Sequence, residues 1–259
     1  MTTIRVAVGE MDAALLPGTE AWAGLIADLD RAKPDIFLLN ELPFGPWISA
    51  ATSFDPTAWK QSVADHEAGV AALEELGVGI VLGSRSVERQ GRRCNEGFVW
   101  TPHEGVRAAH TKQHIPNTPP SYCETVWYER DALAYQVVRA GPLRVGLLIC
   151  TDVMFTEHAR QYGRDGVHLI AVPRAMPVEA AHLFDVALQM AAIASGCYVA
   201  SSNRSGQDPA GGLFEGRGCI VDPGGQTVAQ TSPFDRIVVH DISTDFVEWK
   251  QGFYPCDVD

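Results

Sequence analysis

Residues 143–157 read LRVGLLICTDVMFTE, and a change of pattern inside this stretch decides how the chain is read. From Val145 to Ile149 every residue but Gly146 is apolar, the pattern of a strand buried on both faces of a sheet. The run stops at Cys150. Thr151 and Asp152 turn polar, and Phe155 to Arg164 sets Glu157, His158, Arg160 and Arg164 among apolar and aromatic residues, as an amphipathic helix does. A thiol therefore stands where a strand hands over to a helix, and open α/β sheets bind ligands at the carboxyl ends of their strands. The helix that follows brings unpaired N–H groups and a positive dipole end, which favour a thiolate or an oxyanion. A cysteine in an apolar run is also a common small core residue, so the rest of the chain has to weigh in.

Working outward, the same pattern recurs once, and a further strand ends in a charged residue. Ile36 to Leu39 is an apolar run that ends in Asn40 and Glu41, and Pro43, Gly45 and Pro46 turn the chain at once. Val106 to Thr111 reads as a strand that delivers Lys112 to the mouth of a Pro-rich loop, HTKQHIPNTPPSY. Beyond it Tyr122, Glu124, Trp127 and Tyr128 set aromatic rings around a carboxylate. Further strands are expected at Ile4–Val8, Val78–Gly83, Glu96–Thr101, Tyr135–Val138, Val167–Val172 and Cys197–Ala200, the last leading into Asn203 and Arg204. Helical spacing covers Thr19–Arg31, Thr57–Leu76 with Thr57 as N-cap and Gly77 as stop, and the Ala-rich Ala180–Ser195. Gly218–Asp222 and Arg236–Asp241 are read as closing strands about a DPGG turn. Strands alternating with helices around a central meander imply an α/β domain whose helices cover sheet faces.

Composition narrows the function. With 259 residues and 46% hydrophobic content, the chain can bury a large core, and no linker divides residues 1–259. A net charge of −12 and 20 Lys and Arg without a basic run argue against nucleic acid and anionic membranes as partners. No apolar run approaches the roughly 18 residues of a membrane span, and MTTIRVAVGEMD lacks a basic region followed by an apolar segment, so a cytoplasmic protein is expected. Cysteines at 94, 123, 150, 197, 219 and 256 show no CxxC pair or metal spacing, and reduced thiols are expected. With no GxGxxG after a strand, no P-loop and no clustered His, neither cofactor nor metal is expected.

Glu41, Lys112 and Cys150, in the contexts LLNELPF, HTKQHIP and GLLICTD, resemble in chain order the Glu-Lys-Cys triad of the nitrilase superfamily of carbon–nitrogen hydrolases. Glu124, in SYCETVWYERD, is similar to that family's second glutamate, and the likeness continues through PRAM, NRSG and CIVDPGG. The resemblance implies a four-layer α-β-β-α sandwich and a homodimer or higher homo-oligomer built on helix faces. It assigns Cys150 as nucleophile, Glu41 as general base, Lys112 and the Thr151 backbone N–H as oxyanion donors, and Glu124 as the residue that orients Lys112 or the substrate. The chemistry suits these residue types: a thioester divides a difficult amide hydrolysis into two easier steps, and each oxyanion donor is worth about 3–4 kcal/mol. Lys112 is also expected to lower the thiol pKa.

Substrate class follows from departures. Nitrilases of this superfamily tend to carry Trp-Glu after the cysteine, whereas amidases tend to carry an aromatic residue and then Asp. Here the pair is Thr151-Asp152, so the Asp favours an amide and the aromatic is missing. KQHIPNTPPSYCETVWYERD resembles the segment of N-carbamoyl amine hydrolases, but Val153 and Met154 stand where an Arg pair serves N-carbamoyl-D-amino acids. Arg174 is expected either to hold an anionic substrate group or to form a surface salt bridge. Trp127, Met154 and Phe155 suggest an apolar pocket, with core packing the favoured role for Phe155. His110, His114 and His158 are read as structural. The expected function is hydrolysis of a small amide or N-carbamoyl compound; a nitrilase, a thiol acyltransferase and an inactive binding protein of the same fold are the alternatives.

Overall fold

The computed structural model describes residues 3–12, 15–120, 122–208 and 213–258. Strands β1 (Thr3–Asp12), β2 (Ile36–Leu38) and β3 (Ile80–Arg89) run parallel, with Val6 beside Ile36 and Ile36 beside Ile80. Between them lie α1 (Glu20–Ala32) and α2 (Pro56–Ala71); β4 (Arg92–Thr101) and β5 (Gly105–Thr111) extend the sheet as an antiparallel meander. A short pair, β6 (Asn117–Thr118) and β7 (Tyr122–Cys123), and one helical turn, α3 (Glu124–Trp127), lead onward. β8 (Val138–Ala140) is antiparallel to β9 (Leu143–Leu147). β10 (Leu169–Pro173) and β11 (Tyr198–Gln207) lie parallel to β9, separated by α4 (Thr156–Arg164) and α5 (Ala181–Ser195). β12 (Leu213–Glu215) and β13 (Cys219–Val221) fold back on β11, β14 (Thr227–Gln230) pairs with β13, and β15 (Ile237–Ser243) returns to β1 ahead of α6 (Thr244–Gln251).

Thirteen strands form one hydrogen-bonded system because the end of β1 lies parallel to β11, Glu10 beside Asn203. Alternation along the strands separates its layers. Val6, Val8, Ile36 and Leu38 meet Val145, Leu147, Leu169 and Ala171 between the two halves. Their neighbours Ala7, Phe37 and Leu39 face outward against Trp22, Leu25 and Leu29 of α1. On the opposite face Leu148, Ile170 and Val172 pack under α4 and α5. Every central strand is thus covered twice, which is why these segments read as unbroken apolar runs, and the expected α-β-β-α sandwich is the fold. Gly146 is required by closeness: a Cβ there would lie 2.6 Å from the Tyr162 ring of α4. Gly163 has the same role at the α4–α5 crossing, 2.3 Å from Ser195 O. Among the described residues no helix is long and apolar enough to cross a membrane.

Several local expectations are corrected. Asp55, not Thr57, caps α2, its carboxylate accepting from Thr57 N at 2.7 Å with Pro56 at the first helical position. That helix ends at Ala71, and a separate 3₁₀ turn spans Leu73–Leu76 before Gly77. Tyr135 and Gln136 precede the strand that begins at Val138, since Tyr135 turns with φ +53°. The DPGG turn joins β13 to β14, whereas Ile237–Ser243 pairs with β1.

Candidate active site

Three strands, β2, β5 and β9, each deliver a residue to the same place. β2 runs through Leu39 and Asn40 to Glu41, whose N–H donates to Arg174 O at 3.1 Å, just past β10. β5 ends at Thr111, and Lys112 N donates to Asn95 O of β4 at 2.9 Å. β9 is followed by Cys150, which opens a 3₁₀ turn, Cys150–Met154, with φ +48°. The α-helix proper starts only at Thr156, so a tight turn intervenes between the thiol and that helix terminus.

Glu41, Lys112, Glu124 and Cys150 are all buried. Lys112 Nζ lies 2.8 Å from Glu41 Oε1 and 2.9 and 2.6 Å from the two oxygens of Glu124. Asn95 Nδ2 donates to the same Glu41 Oε1 at 2.9 Å. Glu41 Oε2, by contrast, is buried without a hydrogen-bond partner. Burial disfavours the Lys112 ammonium, but Glu124, Glu41 and Cys150 outweigh it and hold its pKa well above the ordinary lysine value. Burial raises the Glu124 pKa, and Glu41 adds to it against the pull of Lys112. Lys112 therefore stays charged between two carboxylates.

The thiol departs from expectation. Lys112 and the Ala175 backbone N–H do favour its thiolate, but burial and the Glu41 charge prevail and the Cys150 pKa rises far above the usual range. At rest the sulfur keeps its proton. The resemblance implies both Lys112 and Glu41 beside the thiol; the desolvation emerges only in the folded chain.

Three contributors were missed. Asn95 gave no motif. Arg204 lies fully buried behind the site and donates to the backbone carbonyls of Glu41, Leu42 and Gly45, fixing the turn after Glu41. His110, read as a lone structural histidine, bonds Asp152 through Nε2 at 2.8 Å.

Of the proposed pocket residues, Trp127 is fully buried with its indole N–H on Ala51 O at 3.0 Å, inside a cluster with Leu42, Trp47 and Ala175. Met154 is half-buried against the α4–α5 core. Arg174 is corrected on both expectations: it is 1% exposed, and its guanidinium donates to Ser201 Oγ at 2.6 Å and Arg217 O at 2.8 Å. Phe155 is corrected too, being 37% exposed and stacked on His114 at 3.5 Å. Among the described residues no three His, Cys, Asp or Glu side chains converge to hold a metal ion.

A four-layer sandwich with Glu, Lys and Cys gathered just past the ends of its strands has the architecture of the nitrilase superfamily. The sequence profile of the Carbon-nitrogen hydrolase family matches residues 7–251, and the chain belongs to that family. An omega-amidase from Xenopus tropicalis is 25% identical over 181 residues, 67% of this chain and 64% of that enzyme. The chain thus spans less than two thirds of that relative's length. A carbon-nitrogen hydrolase from Helicobacter pylori G27 superposes with a TM-score of 0.83 at 21% identity, over 100% of this chain and 95% of that one. A mutant amidase from Nesterenkonia sp. AN1, its active-site cysteine carrying acrylamide by Michael addition, superposes with a TM-score of 0.78 at 20% identity, over 95% of each chain.

Proposed function

We propose that this carbon–nitrogen hydrolase cleaves a small, uncharged amide through a thioester on Cys150. The observation that carries the reading is the state of Glu41: one oxygen is tied to Lys112 and Asn95, while the other is buried and unpartnered beside a thiol that keeps its proton. A neutral thiol needs a base, and Glu41 Oε2 is one with nothing else to hold. As sulfur attacks the carbonyl carbon, Glu41 takes the Sγ proton and the carbonyl π pair moves onto oxygen. At rest Lys112 Nζ reaches Glu41 Oε1 and both Glu124 oxygens; in the transition state one N–H turns from Glu124 to the oxyanion, beside the Thr151 N–H, while the other Glu124 oxygen keeps its bond. Collapse expels the nitrogen group, which takes the proton from Glu41. Water, deprotonated by Glu41, then cleaves the thioester and the thiol is restored.

An uncharged substrate is supported by the cations around the site. Lys112 lies between two carboxylates, and Arg174 and Arg204 are engaged by protein oxygens. A nitrile or an N-carbamoyl amine enters the same chemistry, the latter releasing an amine and carbon dioxide with ammonia. Six unpaired thiols accord with a reducing, cytoplasmic setting. A homodimer belongs to the same reading, because α5 exposes Leu183, Val186 and Met190 on one side; a monomer in sedimentation equilibrium rejects it.

The test is intact-protein mass spectrometry after incubation with small amides, nitriles and N-carbamoyl amines, comparing native protein with Cys150→Ala. An acyl adduct on the native chain alone, with ammonia released, is the expected result. Equal hydrolysis by both chains rejects the mechanism.

A further inference from the structure

Asp152 touches none of the reacting groups, yet it connects the two halves of the site. It is fully buried, and its carboxylate accepts four hydrogen bonds. Oδ2 takes His110 Nε2 at 2.8 Å and Ile149 N at 3.2 Å; Oδ1 takes Gln113 N at 3.2 Å and His114 N at 2.8 Å. His110 Nδ1 accepts from Tyr135 N at 3.0 Å. A ring nitrogen that accepts a backbone N–H carries no proton, so His110 is the neutral tautomer with its hydrogen on Nε2, directed at Asp152. Burial disfavours the Asp152 anion, but the His110 bond and the His114 N–H outweigh it and hold its pKa below the usual carboxylate range.

On one side of Asp152 lies the nucleophile turn. Asp152 N donates to Ile149 O at 3.1 Å while its carboxylate accepts from Ile149 N, and this ring encloses Cys150, in its left-handed conformation, and Thr151. On the other side are His110, Gln113 and His114, which straddle Lys112. The nucleophile, the Thr151 N–H and the lysine are thus registered through a single carboxylate. We infer that His110 and Asp152 are a positioning pair: the Nε2–H of His110, acting through the Asp152 carboxylate, sets Lys112 against the Cys150–Thr151 turn. The inference rests on the function proposed above.

Two near-isosteres separate this role from mere structure. His110→Gln places an amide nitrogen where Nε2 stands and keeps the donor to Asp152. His110→Asn places its polar atoms where Nδ1 stands, keeping the acceptor for Tyr135 N and losing the donor. Each gives up one buried hydrogen bond, so melting temperatures fall alike. Since a 1 Å misplacement costs on the order of 10²-fold, kcat is expected to fall about 30- to 100-fold in His110→Asn and to stay within about threefold in His110→Gln, with KM little changed in both. Asp152→Asn falls at least as far, because an amide cannot accept from donors at both ends. Equal kcat in the Gln and Asn variants, or a loss confined to KM, overturns the pair. If the native protein hydrolyses no amide, the proposed function fails instead, and the pair is then read from iodoacetamide alkylation of Cys150. A rate lowered about tenfold in His110→Asn alone supports it; equal rates overturn it.

Discussion

Glu41 and Glu96 are two buried carboxylates of one sheet, and they are treated in opposite ways. Glu96 is filled: Arg85 donates from Nε and Nη2 to Oε1 at 2.9 and 2.8 Å, and Arg89 Nη1 to Oε2 at 2.8 Å. Glu41 is filled on one oxygen only and keeps the other bare. The two environments are set by consecutive residues of β4, because Asn95, which reaches Glu41, and Glu96 point to opposite faces of the strand. A carboxylate that only holds strands together has both oxygens occupied. One proposed to accept a proton has an oxygen left over, and the unpartnered atom costs stability that the surrounding bonds must offset.

Exchanging each glutamate for its amide should drive the two sites apart. Glu41→Gln keeps the shape and the acceptor for Lys112 and Asn95 but abolishes the proposed base, so kcat is expected to fall about 10²- to 10⁴-fold with the unfolding midpoint near native. Glu96→Gln leaves two arginines facing an uncharged group; it should lose about 3 kcal/mol in urea unfolding, with kcat almost unchanged. The comparison collapses if Glu41→Gln unfolds the protein while retaining turnover, or if Glu96→Gln is inactive yet fully stable.

His66 extends the comparison to a buried group with no counter-charge. It is 1% exposed, with Nδ1 on Ser62 O at 2.7 Å and Nε2 unpartnered. Burial, with Arg204 and Arg85 adding to it, lowers its pKa to about 3. A depressed histidine pKa means that the unfolded chain binds the proton first. Stability is therefore whole above pH 6.5 and is lost as the pH falls toward 3, by roughly 3 kcal/mol at pH 4. His66→Gln should remove that dependence, so urea midpoints of native and variant should converge on acidification. Parallel curves would show that His66 is not what sensitises the protein to acid.

These environments were unequally legible in the sequence. Glu41 and Cys150 stood out because each ends an apolar run, and Lys112 because a strand delivers it to the mouth of a Pro-rich loop; the resemblance joined the three. Arg174 also ends such a run, yet whether its guanidinium meets a substrate or Ser201 depends on how β10 and β11 are staggered, which no local pattern states. His110 and Asp152 are 42 residues apart, and only the packing of one half of the sheet on the other makes them partners. The thiol pKa was misjudged for a related reason: charge is written in the sequence, whereas desolvation is a property of the fold.

The smallest effect is the most discriminating, because the Asn95 side chain donates to Glu41 alone. Its Nδ2 donates to Glu41 Oε1, while its backbone carbonyl, which survives any substitution, holds Lys112 N. Asn95→Ala therefore withdraws one donor from the base and leaves the lysine anchored. A hydrogen bond to a charged group is worth about 1.5–3 kcal/mol, and Lys112 still restrains the same oxygen, so the lower end applies: kcat should fall about tenfold with the unfolding free energy reduced by about 1 kcal/mol. Equal activity with reduced stability would make Asn95 a packing residue, and the aim of Glu41 Oε2 would then be set by Lys112 alone. Reduced activity at near-native stability would show that the bare oxygen works only while its partner oxygen is held from two sides.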